Sequence, residues 1–176
     1  MVNESIICAG FGGQGIMVLG KVLATAAMEK DFQVTWFPAY GAEVRGGTAY
    51  SMVRLSEEPI ANPIVRIASA AIIMNELSLE KFEKSIKPGG LLILNASLVK
   101  TKPKRKDIEI VSAELTEEAV RLGNIRVANM IAAGIYAAKT KIFDKKVMMK
   151  AIEIMAAGRK ELIPINIKAI ELGVGW

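Results

Sequence analysis

The feature that most constrains the fold is a glycine-rich segment, Gly10-Phe11-Gly12-Gly13-Gln14-Gly15, which lies between an apolar run and an amphipathic one. The residues before it, 5–9, are mostly apolar and suit a buried strand, and residues 16–30 carry apolar side chains at helical spacing. Four glycines in six positions allow positive φ angles and close approach of a ligand to the backbone. The sequence therefore predicts a strand, a tight turn and a helix whose first N–H groups favour an anion.

The turn also matches the dinucleotide-binding pattern Gly-x-Gly-x-x-Gly. That pattern requires an acidic residue at the end of the second strand, where it binds the ribose hydroxyls. The second predicted strand, Gln33 to Pro38, has no carboxylate at its end, since Asp31 precedes it and Glu43 lies well beyond it. Three interpretations remain: a turn needed only for packing, a nicotinamide or flavin site, and a site for the phosphate of another ligand, which we favour.

Apolar runs and amphipathic segments alternate along the chain, which is typical of an α/β fold. We expect one three-layer domain over residues 1–176, with a mostly parallel sheet and helices on both faces. Further strands are predicted at 48–55, 68–74, 91–94 and 108–112. Ser78 and Asp144 are the predicted N-caps of two helices, and Pro164 is predicted to interrupt the last apolar segment.

The composition excludes several kinds of chemistry. The chain has no histidine and a single cysteine, Cys8, so it cannot by itself build a Cys/His zinc site, a four-cysteine iron–sulfur cluster or a Ser-His-Asp triad. Cys8 lies in the first predicted strand, where a buried thiol is expected. We therefore predict neither a metal site nor catalytic residues in this chain.

Much of the net charge of +5 comes from the segment 100–106, in which five of seven residues are basic. The segment is either a solvated loop between strands or an attractor for a polyanion. No aromatic residue is interleaved, which argues against a specific nucleic-acid role. No run reaches the ~20 apolar residues of a membrane span and no signal peptide is visible, so we expect a soluble, cytoplasmic protein that does not contact a membrane.

Several candidate binding residues follow predicted strands. The loop after the second strand offers Arg45, which could bind a phosphate or carboxylate or could pair with Glu43 on the surface. Ligands of parallel sheets bind beyond the carboxyl ends of the strands, so these residues are expected to form one site. The predicted site contains Gly10, Gly12, Gly13, Gln14, Gly15, Arg45, Gly46, Gly47, Thr48, Asn75 and Asn95.

Four segments together resemble the gamma subunit of 2-oxoacid:ferredoxin oxidoreductases. They are the glycine turn, the stretch from Pro38 to Ala49, the stretch from Met74 to Phe82, and the stretch from Lys87 to Asn95. The likeness covers nearly the whole chain and is densest up to Asn95. The spelling Glu43-Val44-Arg45-Gly46-Gly47-Thr48 is most similar to that of 2-oxoglutarate-type enzymes. One departure is Ser69, where related chains commonly have an acidic residue.

The resemblance implies a function shared among several chains. Members oxidatively decarboxylate a 2-oxoacid to an acyl-coenzyme A and pass the electrons to ferredoxin. Thiamine diphosphate, Mg and iron–sulfur clusters are expected on the partner subunits, which are alpha, beta and, where one exists, delta. The gamma subunit is not catalytic alone; by resemblance it contributes to assembly and to coenzyme A binding, with the glycine turn and the loop 45–47 as its contacts.

Two other hypotheses stay open at this point. The chain could be a stand-alone dinucleotide-binding reductase, since the glycine pattern permits it. Alternatively, it could be a purely structural interaction subunit whose glycines serve packing alone.

Overall fold

The computed structural model describes residues 1–40, 48–156 and 158–176. Within these residues, six strands form one sheet in the order β2-β3-β1-β4-β5-β6. The strands are β1 Asn3–Phe11, β2 Gln33–Tyr40, β3 Thr48–Ser56, β4 Ala68–Ile73, β5 Ile86–Asn95 and β6 Glu109–Ala113. The α-helices are α1 Ile16–Met28, α2 Glu76–Phe82, α3 Leu115–Arg121, α4 Ala128–Thr140, α5 Lys145–Ala156 and α6 Ile163–Val174. Short 3-10 helices cover Glu83–Ser85, Ile125–Val127 and Lys160–Leu162.

The four neighbouring strands β1, β4, β5 and β6 are parallel, whereas the other end of the sheet, with β3 and β2, is antiparallel. β1 pairs in parallel with β4, β4 with β5, and β5 with β6. β3 lies between β1 and β2 and runs antiparallel to both. The predicted mostly parallel α/β fold is confirmed. The position of β3 has a consequence for the site, because its first residue, Thr48, pairs with Phe11, the last residue of β1.

Two apolar clusters cover the two faces of the sheet. Alternate residues of β1 point to opposite sides, so that Ile6 and Cys8 belong to one cluster, and Ile7 and Ala9 to the other. The first face packs against α1, α3, α4, α5 and α6, whereas α2 covers part of the second face. β4 is buried along its whole length, as expected of a parallel strand covered on both sides.

The tightest helix contact joins α4 and α6. A Cβ atom added to Gly134 would overlap the Ile170 carbonyl oxygen and lie 2.9 Å from the Cα atom of Gly173. A Cβ atom on Gly173 would in turn lie 2.9 Å from the Cα atom of Gly134. The two helices therefore pack backbone to backbone, and only glycine fits at either position.

The starts of three helices test two predicted caps and one predicted interruption. Asp144 caps α5, since its Oδ1 accepts a hydrogen bond from the Val147 N–H at 2.8 Å. The cap of α2 is Asn75, whose Oδ1 accepts from the Ser78 N–H at 2.8 Å, so the prediction of Ser78 as N-cap is wrong. Pro164 lies in the first turn of α6, where its missing N–H costs nothing, so it does not interrupt the helix as predicted.

None of the described helices has the length and apolarity needed to cross a membrane.

Candidate functional site

The glycine turn joins β1 to α1 as predicted. Two of its positions have backbone conformations that favour glycine. Gly13 has a φ angle of +93° and Gly15 one of +72°, both in the left-handed region that other residues rarely adopt. Gly15 is the N-cap of α1 and offers no side chain to the first helical turn. The turn is therefore a backbone structure that leads into N–H groups without a partner inside the helix.

The side chain of Gln14 holds the turn in place. Its Oε1 accepts a hydrogen bond from the Phe11 N–H at 2.6 Å, and its Nε2 donates to the Met74 carbonyl at 3.2 Å. Met74 directly follows β4, the strand that lies beside β1. Because both ends of the Gln14 amide are engaged, this residue positions the turn and its side chain is not free to reach a ligand.

The four glycines of the turn fall into two classes. A Cβ atom on Gly10 would lie 2.5 Å from the Gln14 Oε1 and 2.9 Å from the Met74 Cβ, and one on Gly15 would overlap the Asn129 amide. A Cβ atom on Gly12 or Gly13 would meet no atom of the described residues within 4 Å. The first pair is needed for packing, whereas the second pair faces open space.

The helix that follows the turn is prepared for an anion. α1 has no side-chain cap and no acidic residue in its first turn. α2, which starts beside it at the same edge of the sheet, has the Asn75 cap and an acidic residue, Glu76, in its first turn. The described residues therefore leave the positive end of the α1 dipole without compensation. The positive end of the α2 dipole is compensated.

α4 is anchored to the same turn. The Asn129 Nδ2 donates to the Gly15 carbonyl at 3.0 Å, and Asn129 is buried. α4 also has no acidic residue in its first turn. The start of α4 thus lies against the start of α1.

A cleft of about 270 Å³ opens between these elements. It is lined by residues from the carboxyl edge of the sheet and from the start of α4: Gly13, Gln14, Met74, Leu98, Thr116, Ile125, Arg126 and Ala128. A second cleft of about 270 Å³ lies on the other side of the turn, along Phe11, Gly12, Met17 and Ala49. Gly13 lines both clefts.

Arg126 was not among the predicted site residues. It lies in the 3-10 turn Ile125–Val127, which has no strand-end or glycine pattern to distinguish it. Its side chain is exposed, lines the first cleft and makes no hydrogen bond or ion pair with other described residues. A basic residue just before a predicted helix was the only signal available in the sequence.

Asn75 and Asn95 do lie at the carboxyl edge, but their side chains are engaged in the fold. Asn75 caps α2 through its Oδ1. Asn95 donates from its Nδ2 to the Thr116 Oγ1 at 2.8 Å and fastens the end of β5 to α3. Neither residue lines the two clefts beside the turn. Their role in binding stays a prediction.

Arg45, Gly46 and Gly47 lie outside the described residues. The described strands nevertheless define where this segment begins and ends. Thr48 pairs with Phe11, and Tyr40 pairs with Ala49 on the same side of the sheet. Thr48 therefore adjoins the glycine turn, whereas Tyr40 lies one strand further from it, on β2.

Ser69, the departure from the family pattern, lies at the opposite edge of the sheet. Its Oγ contacts the Glu4 carboxylate and accepts a hydrogen bond from the Ser5 N–H at 3.0 Å. Glu4 thus brings a carboxylate to Ser69 from the neighbouring strand. This pair lies at the amino ends of β1 and β4, away from the glycine turn.

The basic loop at 100–106 is fastened at both ends. The Lys100 and Thr101 N–H groups donate to the Glu76 carboxylate. The Glu76 pKa is lowered most by the Thr101 hydroxyl group and then by these N–H groups. The Arg105 guanidinium donates to Asp107 at 2.5 Å and to the Ile86 carbonyl at 2.8 Å. The side chains of Lys102, Lys104 and Lys106 are exposed. Both interpretations of this loop stay open.

Cys8 is fully buried, and burial raises the pKa of its thiol to about 12. A thiol with so high a pKa is protonated at neutral pH and is a poor nucleophile. Among the described residues, no three His, Cys, Asp or Glu side chains are grouped so that they could hold a metal ion.

Comparison with known proteins bears on the whole chain. The sequence matches the family described as "Pyruvate ferredoxin/flavodoxin oxidoreductase" over residues 5–176. The ketoisovalerate oxidoreductase subunit VorA of Methanothermobacter marburgensis is 31% identical over 96% of this chain. That match covers 35% of the VorA sequence, so the present chain spans about a third of it. The 2-oxoglutarate synthase subunit KorC of Methanocaldococcus jannaschii is 30% identical, over 86% of this chain and 82% of KorC.

Two solved structures share the fold. The gamma subunit of the keto/oxoacid ferredoxin oxidoreductase from Geobacter sulfurreducens superposes with a TM-score of 0.87 at 25% identity, over 99% of this chain and 96% of that one. A 2-oxoglutarate:ferredoxin oxidoreductase from Magnetococcus marinus, with 2-oxoglutarate, coenzyme A and succinyl-CoA bound, superposes with a TM-score of 0.88. Its identity is 21%, over 99% of this chain and 31% of that one, so this second likeness shows the fold alone.

Proposed function

The chain belongs to the pyruvate ferredoxin/flavodoxin oxidoreductase family, and from this membership we propose that it acts as the gamma subunit of a 2-oxoacid:ferredoxin oxidoreductase. The enzyme would convert a 2-oxoacid and coenzyme A to an acyl-coenzyme A and carbon dioxide, with ferredoxin as electron acceptor. This chain would carry no redox group. Its part would be to bind coenzyme A and to join the alpha, beta and, where one exists, delta subunits.

The observation that carries the proposal is the open space at Gly12 and Gly13. No atom of the described residues occupies the space that a side chain would take at either glycine, and both lie just before α1, which has no side-chain cap. Backbone N–H groups at a helix start favour a phosphate, and missing Cβ atoms let its oxygens approach them. We propose that the pyrophosphate of coenzyme A lies there.

The remaining predicted contacts belong to the loop after β2. Arg45, with its two following glycines, would donate two hydrogen bonds to the same pyrophosphate or to a neighbouring phosphate. Support comes from the pairing of Thr48 with Phe11, which brings the end of this segment beside the turn. Gln14 would act as a positioning residue through its hydrogen bonds to Phe11 and Met74.

The chemistry of decarboxylation and electron transfer would be supplied on partner subunits by thiamine diphosphate, which stabilises the carbanion, and by iron–sulfur clusters, which accept electrons. The side chains of this subunit provide no substitute. Its single thiol is buried and protonated, and it has no histidine.

We propose 2-oxoglutarate as the substrate, because the spelling Glu43-Val44-Arg45-Gly46-Gly47-Thr48 is most similar to that of 2-oxoglutarate-type gamma subunits. The similarity to KorC agrees with this proposal. A branched-chain 2-oxoacid is the second candidate, since a ketoisovalerate oxidoreductase subunit is equally similar in sequence.

The alternative of a stand-alone dinucleotide reductase has less support. β2 extends to Tyr40 and contains no carboxylate along its length. The ribose of a dinucleotide would therefore lack the acidic partner that usually follows the second strand. A purely structural role is disfavoured by Gly12, whose missing side chain is filled by no described atom.

The proposal is tested by measuring the kinetics of the assembled enzyme that carries Arg45→Ala. We expect the KM for coenzyme A to rise roughly tenfold or more, since a charge-assisted pair is lost, while the KM for the 2-oxoacid stays within about twofold. Steady-state reduction of ferredoxin measures both constants, and 2-oxoglutarate and 2-oxoisovalerate are compared in the same assay. An unchanged KM for coenzyme A would remove the loop from the site, and higher kcat/KM with 2-oxoisovalerate would overturn the substrate assignment.

A further inference from the structure

The cleft beside the turn contains one cation that the proposed pyrophosphate site does not use. Arg126 lies on its wall, and its guanidinium makes no hydrogen bond or ion pair with other described residues. The arginines of neighbouring elements are engaged: Arg121 pairs with Glu118, and Arg105 pairs with Asp107. An arginine left without a carboxylate in a cleft is available to an anionic ligand.

The backbone at Arg126 is held in place. Its N–H donates to the Asn124 Oδ1 at 3.0 Å, and the Ile125–Val127 turn leads directly into α4. α4 is in turn joined to the glycine turn by the bond from Asn129 to the Gly15 carbonyl. The position of Arg126 relative to Gly13 is therefore set by hydrogen bonds within the fold.

The other walls of the cleft are mainly apolar. Leu98 and Ile125 are large hydrophobic side chains that are 44% and 58% exposed, and the buried Met74 also lines the cleft. Thr116 adds a hydroxyl group, whose oxygen already accepts a bond from Asn95 and whose hydrogen is left to donate. A flat apolar group and an anion would both find partners here.

The size of the cleft indicates that it takes part of a ligand. Its volume of about 270 Å³ lies below the ~300–1,000 Å³ of pockets that enclose a whole small molecule. Gly13 lines this cleft and the neighbouring one. A ligand whose pyrophosphate lies at Gly12 and Gly13 would therefore extend one end into the Arg126 cleft.

Resting on the proposed binding of coenzyme A at the glycine turn, we propose that this cleft takes the adenosine end of coenzyme A and that Arg126 binds its 3′-phosphate. A phosphomonoester has three oxygens and carries up to two negative charges, and a guanidinium can donate to two of those oxygens at once. Leu98 and Ile125 would contact the adenine ring. Arg126 would then be the residue that distinguishes coenzyme A from dephospho-coenzyme A, which lacks this phosphate.

The experiment compares the two ligands on the assembled enzyme. Dissociation constants for coenzyme A and dephospho-coenzyme A are measured by titration calorimetry for wild type, Arg126→Ala and Arg126→Lys. We expect wild type to bind coenzyme A roughly 10- to 100-fold more tightly than dephospho-coenzyme A. Arg126→Ala should abolish that preference, because it weakens the binding of coenzyme A and leaves that of dephospho-coenzyme A unchanged. Arg126→Lys should retain part of the preference.

The matched control is Arg121→Ala, which removes an exposed arginine five positions away whose partner is Glu118. It should leave both dissociation constants unchanged. Equal weakening of both ligands by Arg126→Ala, or no change in their ratio, would overturn the inference. Gly12→Val separates this outcome from failure of the proposed function: if Gly12→Val weakens coenzyme A but Arg126→Ala preserves the ratio, only the Arg126 assignment is wrong. If Gly12→Val leaves coenzyme A binding intact, both are wrong.

Discussion

Glycines serve two opposite purposes in this molecule, at the α4–α6 crossing and in the turn after β1. At the crossing, Gly134 and Gly173 touch each other's backbones, and protein atoms fill the space that a side chain would take. In the turn, no atom of residues 1–40, 48–156 or 158–176 lies within 4 Å of the missing Cβ of Gly12 or Gly13. Because protein interiors are closely packed, a glycine is required wherever neighbouring atoms already fill the space of its side chain. At Gly12 neither a described neighbour nor a positive φ requires a glycine, and the proposed ligand supplies the reason.

The turn itself contains both kinds of glycine. Gly10 and Gly15 are filled by Gln14, Met74 and Asn129, and they flank the two that are not filled. The packed pair makes the turn rigid, and the unpacked pair makes it accessible. A binding surface made of backbone needs both properties, because a mobile turn would lose entropy when it ordered around a ligand.

The largest expected effect on stability comes from adding a methyl group at the α4–α6 crossing. Gly173→Ala places a methyl group 2.9 Å from the Gly134 Cα atom, and no side chain can move aside to relieve the overlap. We expect the free energy of unfolding to fall by about 3 kcal/mol or more, as measured by chemical denaturation. Gly175→Ala is the matched control, since the nearest atom there lies 3.5 Å away, and it should change stability by less than about 0.5 kcal/mol. Equal stability of the two variants would refute backbone contact at the crossing.

An intermediate effect is expected at Gly15, which combines a left-handed φ of +72° with the contact to Asn129. Gly15→Ala should cost about 1–2 kcal/mol for the backbone conformation, and more for the displaced Asn129 amide. Adding Asn129→Ala removes the overlap but leaves the backbone cost. If the double variant were as stable as Asn129→Ala alone, the left-handed conformation would contribute nothing.

The smallest effect on stability is expected at Gly12. Gly12→Val extends into open space at an ordinary φ, so the free energy of unfolding should change by no more than about 0.5 kcal/mol. In the assembled enzyme the same change should raise the KM for coenzyme A at least about tenfold, because the valine occupies the proposed phosphate position. Denaturation and steady-state kinetics on one preparation test both halves. Loss of stability without loss of affinity would place Gly12 with the packing glycines.

The strand–turn–helix unit was predictable because glycine identity constrains the backbone directly. Gly13 and Gly15 adopt the positive φ angles that their pattern indicated. The alternation of apolar runs and amphipathic segments was sufficient for the fold class. It could not reveal that β3 lies antiparallel between β1 and β2, since the run at 48–55 reads the same in either direction.

The site was less predictable, and Asn75 and Arg126 illustrate why. An asparagine after a strand can face a ligand or cap the next helix, and the sequence is identical in both cases; in the structure the Asn75 Oδ1 caps α2. Arg126 is remote from the turn in sequence and reaches its cleft only because α4 packs against α1. Contacts between distant elements depend on tertiary packing, which no local pattern records.

The register of β3 bears on how this subunit can diversify. Nine paired positions, from Asn3 with Ser56 to Phe11 with Thr48, hold β3 against β1, and eight more hold β2 against β3. The chain between Tyr40 and Thr48 therefore begins and ends at residues whose positions are set by strand pairing. Since doubling the length of a loop costs only about 0.6 kcal/mol in closure entropy, insertions there are cheap. We expect that protein engineers who seek altered ligand preference can exchange this segment while β2 and β3 keep their pairing.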